Sequence, residues 1–421
     1  MLPKRWTDIG KFRDLWNKEE VMKLYLSQNN THSARSIVLD DMILTTELPT
    51  TAGSKMLDGY KSLFEAEVVT KLKNANFDIA GKANVGEMSL GLLGESSYFG
   101  AVTDKNGNLS LASSEILAQG DVMAAVGLDA GGAIIRSAAL SGQVCIKPTY
   151  ATVSRFGTVS VACSGETVCV SARSVDDAKS VLDVMVGHDD KDGTSLSEAD
   201  CAKVTSNAQF ESVKKVAVAK SLALSSDEAT RAKIHAVVDV FKANGIEVEP
   251  IDDSILLAAK TAWNILMCAE LCNNVSKYDG VKYGYRSKNY TNIDELYTNS
   301  RTEAFGELLK TAILFGSEAL STENYMPVYD KSLRIRRVIC ERFAEIFKSY
   351  GAVLIPVCSK TAYTENDVKA NKYISFDEAL YTAPASISGL PAVVFGGVQL
   401  VGPAFSENAL CELAKIYGEG R

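Results

Sequence analysis

A short apolar run at residues 216–219 leads to a polar helix start at Ser226-Asp227-Glu228. Helical periodicity then continues to Ala243, Asn244-Gly245 marks a stop, and a second apolar run occupies 246–251. Two strands joined by a helix run parallel, and the crossover covers one face of the sheet they form. The same alternation begins at Ile37 and recurs to the C-terminus, which commits the chain to α/β layering. The pattern predicts helices over 63–72 and 174–186, the second stopped by Gly187, and a terminal helix over 407–417. It predicts strands at 77–80, 122–126, 353–356 and within 392–401. Residues 255–348 read as mostly helical and include a tyrosine- and arginine-bearing stretch from Tyr278 to Arg301. Residues 1–33 are polar, with a helix expected near 18–26. No long linker, low-complexity tract or repeat is present, so we expect a helical extension over 1–36 and a single domain over 37–421.

The 421 residues suffice for a large core, and a net charge of −8 argues against unaided nucleic-acid binding. It leaves open nucleic acid held mainly by a partner. No apolar run approaches the roughly 20 residues that span a bilayer, so no membrane span is expected. The nine cysteines, among them Cys145, Cys163, Cys169, Cys268 and Cys272, are scattered through apolar runs. That usage predicts reduced thiols in an intracellular reducing compartment, the cytoplasm or an organellar matrix such as the mitochondrial one. Cys268 and Cys272 lie four apart without nearby partners, and His32, His188 and His235 share no ligand spacing, so no metal site is expected. The N-terminus mixes Lys4, Arg5, Lys11 and Arg13 with Asp8, Asp14, Glu19 and Glu20, a pattern of neither a secretory signal nor a transit peptide.

One turn carries chemistry. In Gly127-Leu128-Asp129-Ala130-Gly131-Gly132-Ala133-Ile134, paired glycines lead into an apolar helix start, an arrangement that lets backbone N–H groups approach a bound group closely. Other segments join it in a fixed order: Pro49-Thr50-Thr51-Ala52-Gly53-Ser54-Lys55-Met56-Leu57, Gly81-Lys82-Ala83-Asn84, and Glu95-Ser96-Ser97-Tyr98-Phe99-Gly100. Lys147-Pro148-Thr149-Tyr150, Val153-Ser154-Arg155-Phe156-Gly157, Gly187-His188-Asp189 and Asp192-Gly193-Thr194-Ser195 follow. Further on come Tyr278-Asp279-Gly280-Val281-Lys282-Tyr283-Gly284-Tyr285, Glu295-Leu296-Tyr297, Ser300-Arg301-Thr302-Glu303-Ala304-Phe305-Gly306 and Gly389-Leu390-Pro391.

From Ile37 to the C-terminus this series resembles the amidase-signature family. Within that family it is most similar to the amidase-type (GatA-like) components of tRNA-dependent amidotransferases that act on Glu-tRNA(Gln) or Asp-tRNA(Asn). The resemblance implies an α/β/α sandwich around a large mixed β-sheet. It also implies amide hydrolysis by a serine nucleophile, a second serine in a cis peptide and a neutral lysine, with no cofactor.

Carried over position by position, that chemistry is missing. The nucleophile position reads Ala133. The lysine of a K-D-N-I strand end falls on Asp40, in Leu39-Asp40-Asp41-Met42-Ile43. Counting back at the family spacing places the bridging serine at Leu109, in Gly107-Asn108-Leu109-Ser110-Leu111-Ala112-Ser113, although the stretch after Phe99 is shortened. The aspartate and arginine that hold a glutamine substrate fall on Ala379 and Ala312. Desolvated charges of a zwitterion would stay unpaired there.

Gly131, Gly132 and Asp129 then read as scaffold of the turn, with Asp129 and Arg136 in local structural contacts. Ser110, Ser113 and Ser137 read as turn and helix-start hydrogen bonders, and Ser54 as part of its own turn. The reading that follows is a catalytically inactive amidase-fold subunit. It would bind protein partners, either amidotransferase B- or C-like subunits or a larger complex. The alternatives are a working amidase with a relocated serine, or a sensor whose pocket Leu109 and Ala133 have made apolar.

Overall fold

The computed structural model describes residues 24–29, 33–206 and 213–419. Strand β1 (Tyr25–Gln28) and β2 (Ser36–Asp40) precede helix α1 (Glu67–Asn74) and β3 (Asp78–Ala83). A small hairpin, β4 (Val102–Thr103) and β5 (Leu109–Ser110), leads through α2 (Ala112–Gln119) to β6 (Ala124–Asp129). The glycine turn and α3 (Ala133–Leu140) come next, followed by β7 (Val144–Lys147), β8 (Thr167–Ala172), α4 (Val175–Met185) and α5 (Glu198–Thr205). The predicted strand–helix–strand unit is β9 (Lys215–Ala219), α6 (Lys220–Leu224), α7 (Glu228–Ala243) and β10 (Glu247–Ile251), with β9 and β10 parallel. The helical stretch holds α8 (Ala258–Asn274), α9 (Ile293–Ala304), α10 (Glu307–Ala319) and α11 (Lys331–Ile346). The chain closes with β11 (Ala352–Pro356), α12 (Glu365–Ala370), α13 (Ile374–Ser388), β12 (Ala392–Phe395), β13 (Val398–Val401) and α14 (Glu407–Glu419).

Eleven strands form one mixed sheet in the order β1-β3-β2-β6-β8-β7-β12-β13-β11-β9-β10, and β4 and β5 pair separately. Strands β2, β6, β7, β8, β11, β12 and β13 are buried along their whole length. Their sequences are therefore near-continuous apolar runs without alternation, as expected where helices cover both faces. Helix α8 packs against α10, α11 and α13. Its inner face carries Ala262, Trp263, Leu266 and Cys268, all buried. With the turns at its two ends it forms a helical run, Ser254–Lys277, that by length and composition alone could cross a bilayer, contrary to the expectation from apolar runs. Its burial among three helices is that of a core helix.

Local chemistry places the helix ends where the sequence puts them. Asp227 caps α7 by accepting from Thr230 N, and Ser174 caps α4 by accepting from Asp177 N. Two expectations shift. The helix predicted over 63–72 begins only at Glu67, because Ser62 Oγ bonds the backbone of Phe64 and holds an extended turn in which Leu63 is 96% exposed. The helix expected near 18–26 falls partly outside the described residues. Its described end is instead strand β1, where pairing with the edge of β3 satisfies the backbone.

Gly132, the residue before α3, has φ +85°. A Cβ there would run into the side chain of Thr382 on α13. Replacing Gly132 with alanine combines left-handed strain with that clash, so Gly132→Ala should lower unfolding free energy by about 1–3 kcal/mol in urea titration.

Candidate functional site

Strands β2 and β6 are parallel neighbours and end at Asp40 and Asp129. The glycine turn leaves β6 at that same end, so the chemistry-bearing segments meet beyond the carboxyl ends of two parallel strands. Gly127 has no side chain because the space is taken: a Cβ would collide with the Asp40 carboxylate and lie 2.7 Å from Ile134 Cδ1.

Two lysines whose charge finds no role in the sequence pattern are sealed in this region. Lys82 on β3 donates to Asp41 Oδ1 at 3.0 Å and Thr50 Oγ1 at 2.9 Å, with both charged side chains fully buried. Lys147 on β7 donates to Asp129 Oδ2 at 3.1 Å and Ser386 Oγ at 2.8 Å. A lysine inside an otherwise apolar strand-like run, as in Ile79-Ala80-Gly81-Lys82-Ala83 or Val144-Cys145-Ile146-Lys147, was the available signal. Burial lowers the Lys82 pKa, with Asp41 pulling against it.

Asp40 is the third carboxylate beside these two cations. Burial first, and then the neighbouring Asp41 and Asp129, push its pKa up to about 7, against a hydrogen bond from Ser113 and the pull of Lys82. With Asp41 matched to Lys82 and Asp129 to Lys147, a protonated Asp40 leaves the cluster neutral.

The other positions singled out by sequence lie in apolar surroundings. Leu109, 3% exposed, and Ala133, 6% exposed, belong to one buried cluster with Leu92, Leu93, Leu111 and Tyr363. Leu109 continues strand β5 and donates its N–H to Tyr363 O at 2.7 Å. The described residues contain no cis peptide bond. Gly131 and Ala379 meet across a void of about 10 Å3 that Leu90, Met267 and Phe376 also line. That is at the lower limit for one water molecule. Ala312 is fully buried on α10 and does not line the void.

The serines take their places in the scaffold. Ser137 Oγ donates to Ser114 Oγ at 2.7 Å and accepts from Leu111 N, and Ser110 Oγ reaches Leu111 O at 3.4 Å. Ser54 donates to Glu87 Oε1 at 2.6 Å, while Lys55 lies over the Tyr285 ring. Arg136 is wholly buried and clamps the turn from behind, donating to the carbonyls of Gly131, Leu92 and Gly91. All nine cysteines are free, and His188 bonds Leu196 O and Asp190; His32 lies outside the described residues.

Residues 36–411 match the Amidase family. The chain belongs to the amidase family. It is 35% identical to the GatA-type component of glutamyl-tRNA(Gln) amidotransferase from Latilactobacillus sakei over 402 residues, covering 91% of this chain and 82% of the relative. It is 32% identical to the corresponding protein of Maridesulfovibrio salexigens, covering 90% and 82%. The crystal structure of the same amidotransferase component from Thermotoga maritima superposes with a TM-score of 0.76 at 25% identity, covering 94% of this chain and 87% of that one. The amidase fold expected from the sequence, a large mixed sheet between helices, is therefore present.

The protonation state of Asp40 has a consequence for stability. A carboxyl whose folded pKa is raised from 3.8 to about 7 stabilises the fold below pH 4, and its contribution is lost as pH rises toward 7, by as much as about 4 kcal/mol. Glu87, likewise raised to about 7 by burial, acts in the same direction. Asp40→Asn should therefore gain stability relative to the parent as pH rises from 4 to 7, read as the difference between their denaturation midpoints at each pH.

Proposed function

We propose that this amidase-family chain is a catalytically silent subunit that serves as a structural or partner-binding component of a larger assembly. The observation that carries the reading is the state of the space around Ala133. The positions that the family resemblance assigns to the nucleophile and the bridging serine, Ala133 and Leu109, lie in one buried apolar cluster, although Leu109 and Ser110 also edge a surface cavity of about 480 Å3. The void at Gly131 and Ala379, where an amide would enter, is reduced to about 10 Å3. Asp40 stands where a neutral lysine is needed, so the general base is replaced by a group that holds its own proton near pH 7.

The subunit role is supported by the relatives, which are named as components of glutamyl-tRNA(Gln) amidotransferase, and by the stretch from Tyr278 onward. There Tyr283, Tyr290, Ile293 and Tyr297 are all more than a third exposed, the kind of aromatic surface that partner proteins cover. B- or C-like amidotransferase subunits are the partners this reading favours, in a reducing intracellular compartment.

A second reading, an active amidase with a relocated serine, is favoured by the nearness of Ser113 to Asp40, whose carboxyl burial pushes up to about 7. A nucleophile there would need substrate access to a residue only 5% exposed.

Glutamine and amide hydrolysis by the purified protein, alone and with co-purified partners, separates the two readings. We expect no turnover above background and no covalent labelling by a fluorophosphonate. Labelling that disappears in Ser113→Ala, with hydrolysis lost in the same variant, would overturn the silent-subunit reading.

A further inference from the structure

A cavity of about 550 Å3 opens at the other end of α3, away from Ala133. It is framed by the last turn of α3, the start of α4, Lys233 on α7, the Gly396-Gly397 turn between β12 and β13, and α14. That volume lies within the range of small-molecule sites; it shares α3 with the glycine turn, but Asp40, Leu109, Ala133 and Ala379 do not line it. Two features of its lining differ from the rest of the surface.

The first is charge. In a chain of net charge −8, three cations, Arg173, Lys233 and Lys415, face this cavity against one acid, Asp176. Lys415 is held by Asp176 at 2.7 Å and by Glu412 at 3.2 Å. Arg173 commits Nη1 to the carbonyls of Leu117 and Val122, both at 2.9 Å. Lys233 is half-buried, its stem lying against Gly397, where a Cβ would come within 2.6 Å of Cδ and 2.7 Å of Nζ. Its ammonium has no hydrogen-bond or ion-pair partner among the described residues. Two other lysines on this chain's long helices, Lys260 on α8 and Lys415 on α14, are each paired with a carboxylate.

The second feature is the glycine turn beneath Lys233, backed by two core aromatics. Phe395 and Tyr417 line the cavity with ring centroids 5.5 Å apart, and both side chains are buried against the core. Gly396 and Gly397, with φ of +55° and +81°, form the tight two-residue turn of the β12–β13 hairpin. The absence of side chains in that turn makes room for the Tyr417 ring over Gly396 and the Lys233 side chain over Gly397.

We propose that this cavity binds a small anion, with a phosphate or carboxylate group received by Lys233 and Arg173 adding attraction at the rim. The ammonium supplies charge-assisted hydrogen bonds that the protein itself leaves unused.

Isothermal titration of the intact chain with matched probes tests this. Adenosine 5′-monophosphate against adenosine reads the phosphate arm, benzoate against benzamide reads the carboxylate arm, and inorganic phosphate reads the bare anion. We expect the anionic member of at least one pair to bind roughly tenfold or more tightly than its neutral counterpart, as a charge-assisted contact gives. Lys233→Gln should erase that advantage and Lys233→Arg should keep it. Any binding of inorganic phosphate should likewise be lost in Lys233→Gln. Which arm responds identifies the anion class. Equal binding of charged and neutral probes, no binding by any of them, or an advantage that survives Lys233→Gln would overturn the proposal. Because Asp40, Leu109, Ala133 and Ala379 do not line the cavity, none of these outcomes depends on whether the amidase-type site is silent.

Discussion

A lysine ammonium cut off from water has to be held by an acid, and this fold meets that requirement twice at the carboxyl ends of its central strands. Lys82 on β3 reaches Asp41 just beyond β2, and Lys147 on β7 reaches Asp129 at the end of β6. Removing one partner of such a pair leaves a buried uncompensated charge, at a cost of about 3–5 kcal/mol. The pairs therefore pin the loops after β2 and β6 to neighbouring strands, and the glycine turn into α3 inherits its position from them. Asp40 stands among these charges, and its proton is the simplest way for the cluster to stay neutral.

That arrangement frames the comparison with the amidase relatives. The glycine turn through Gly131 and Gly132 is present, and Arg136 clamps it by its carbonyls. The volume beside the turn is occupied by side chains. Leu92, Leu93, Leu109 and Tyr363 belong with Ala133 to one buried cluster. That apolar packing stabilises the start of α3. A framework held by buried ion pairs tolerates such filling because none of the four paired residues belongs to that cluster.

Much of the fold was legible in the sequence. The parallel unit β9–α7–β10, the caps at Ser174 and Asp227 and the late strands all follow from local patterns of apolar runs, polar caps and glycine stops. The misses have local causes. Ser62 bonds the backbone near Phe64 and delays α1, and Tyr25–Gln28 becomes a strand because the edge of β3 offers partners that a propensity reading cannot see. Within the site, the chemical types at Asp40, Leu109 and Ala133 were readable position by position. The partners of Lys82 and Lys147 were not: Lys82 lies 41 residues from Asp41 and Lys147 lies 239 from Ser386.

The sequence by itself determined the α/β layering, the glycine turn and the identity of the residues that line it, because those depend on periodicity and on side-chain chemistry at known spacing. Only the tertiary structure decided that Leu109 and Ala133 share one buried cluster, that the Asp40 pKa is pushed up to about 7, and that Lys233 is left unpaired at the edge of a cavity. Those properties depend on which distant segments exclude water from a point in space, and burial of that kind is set by the packing of the whole sheet and its helices.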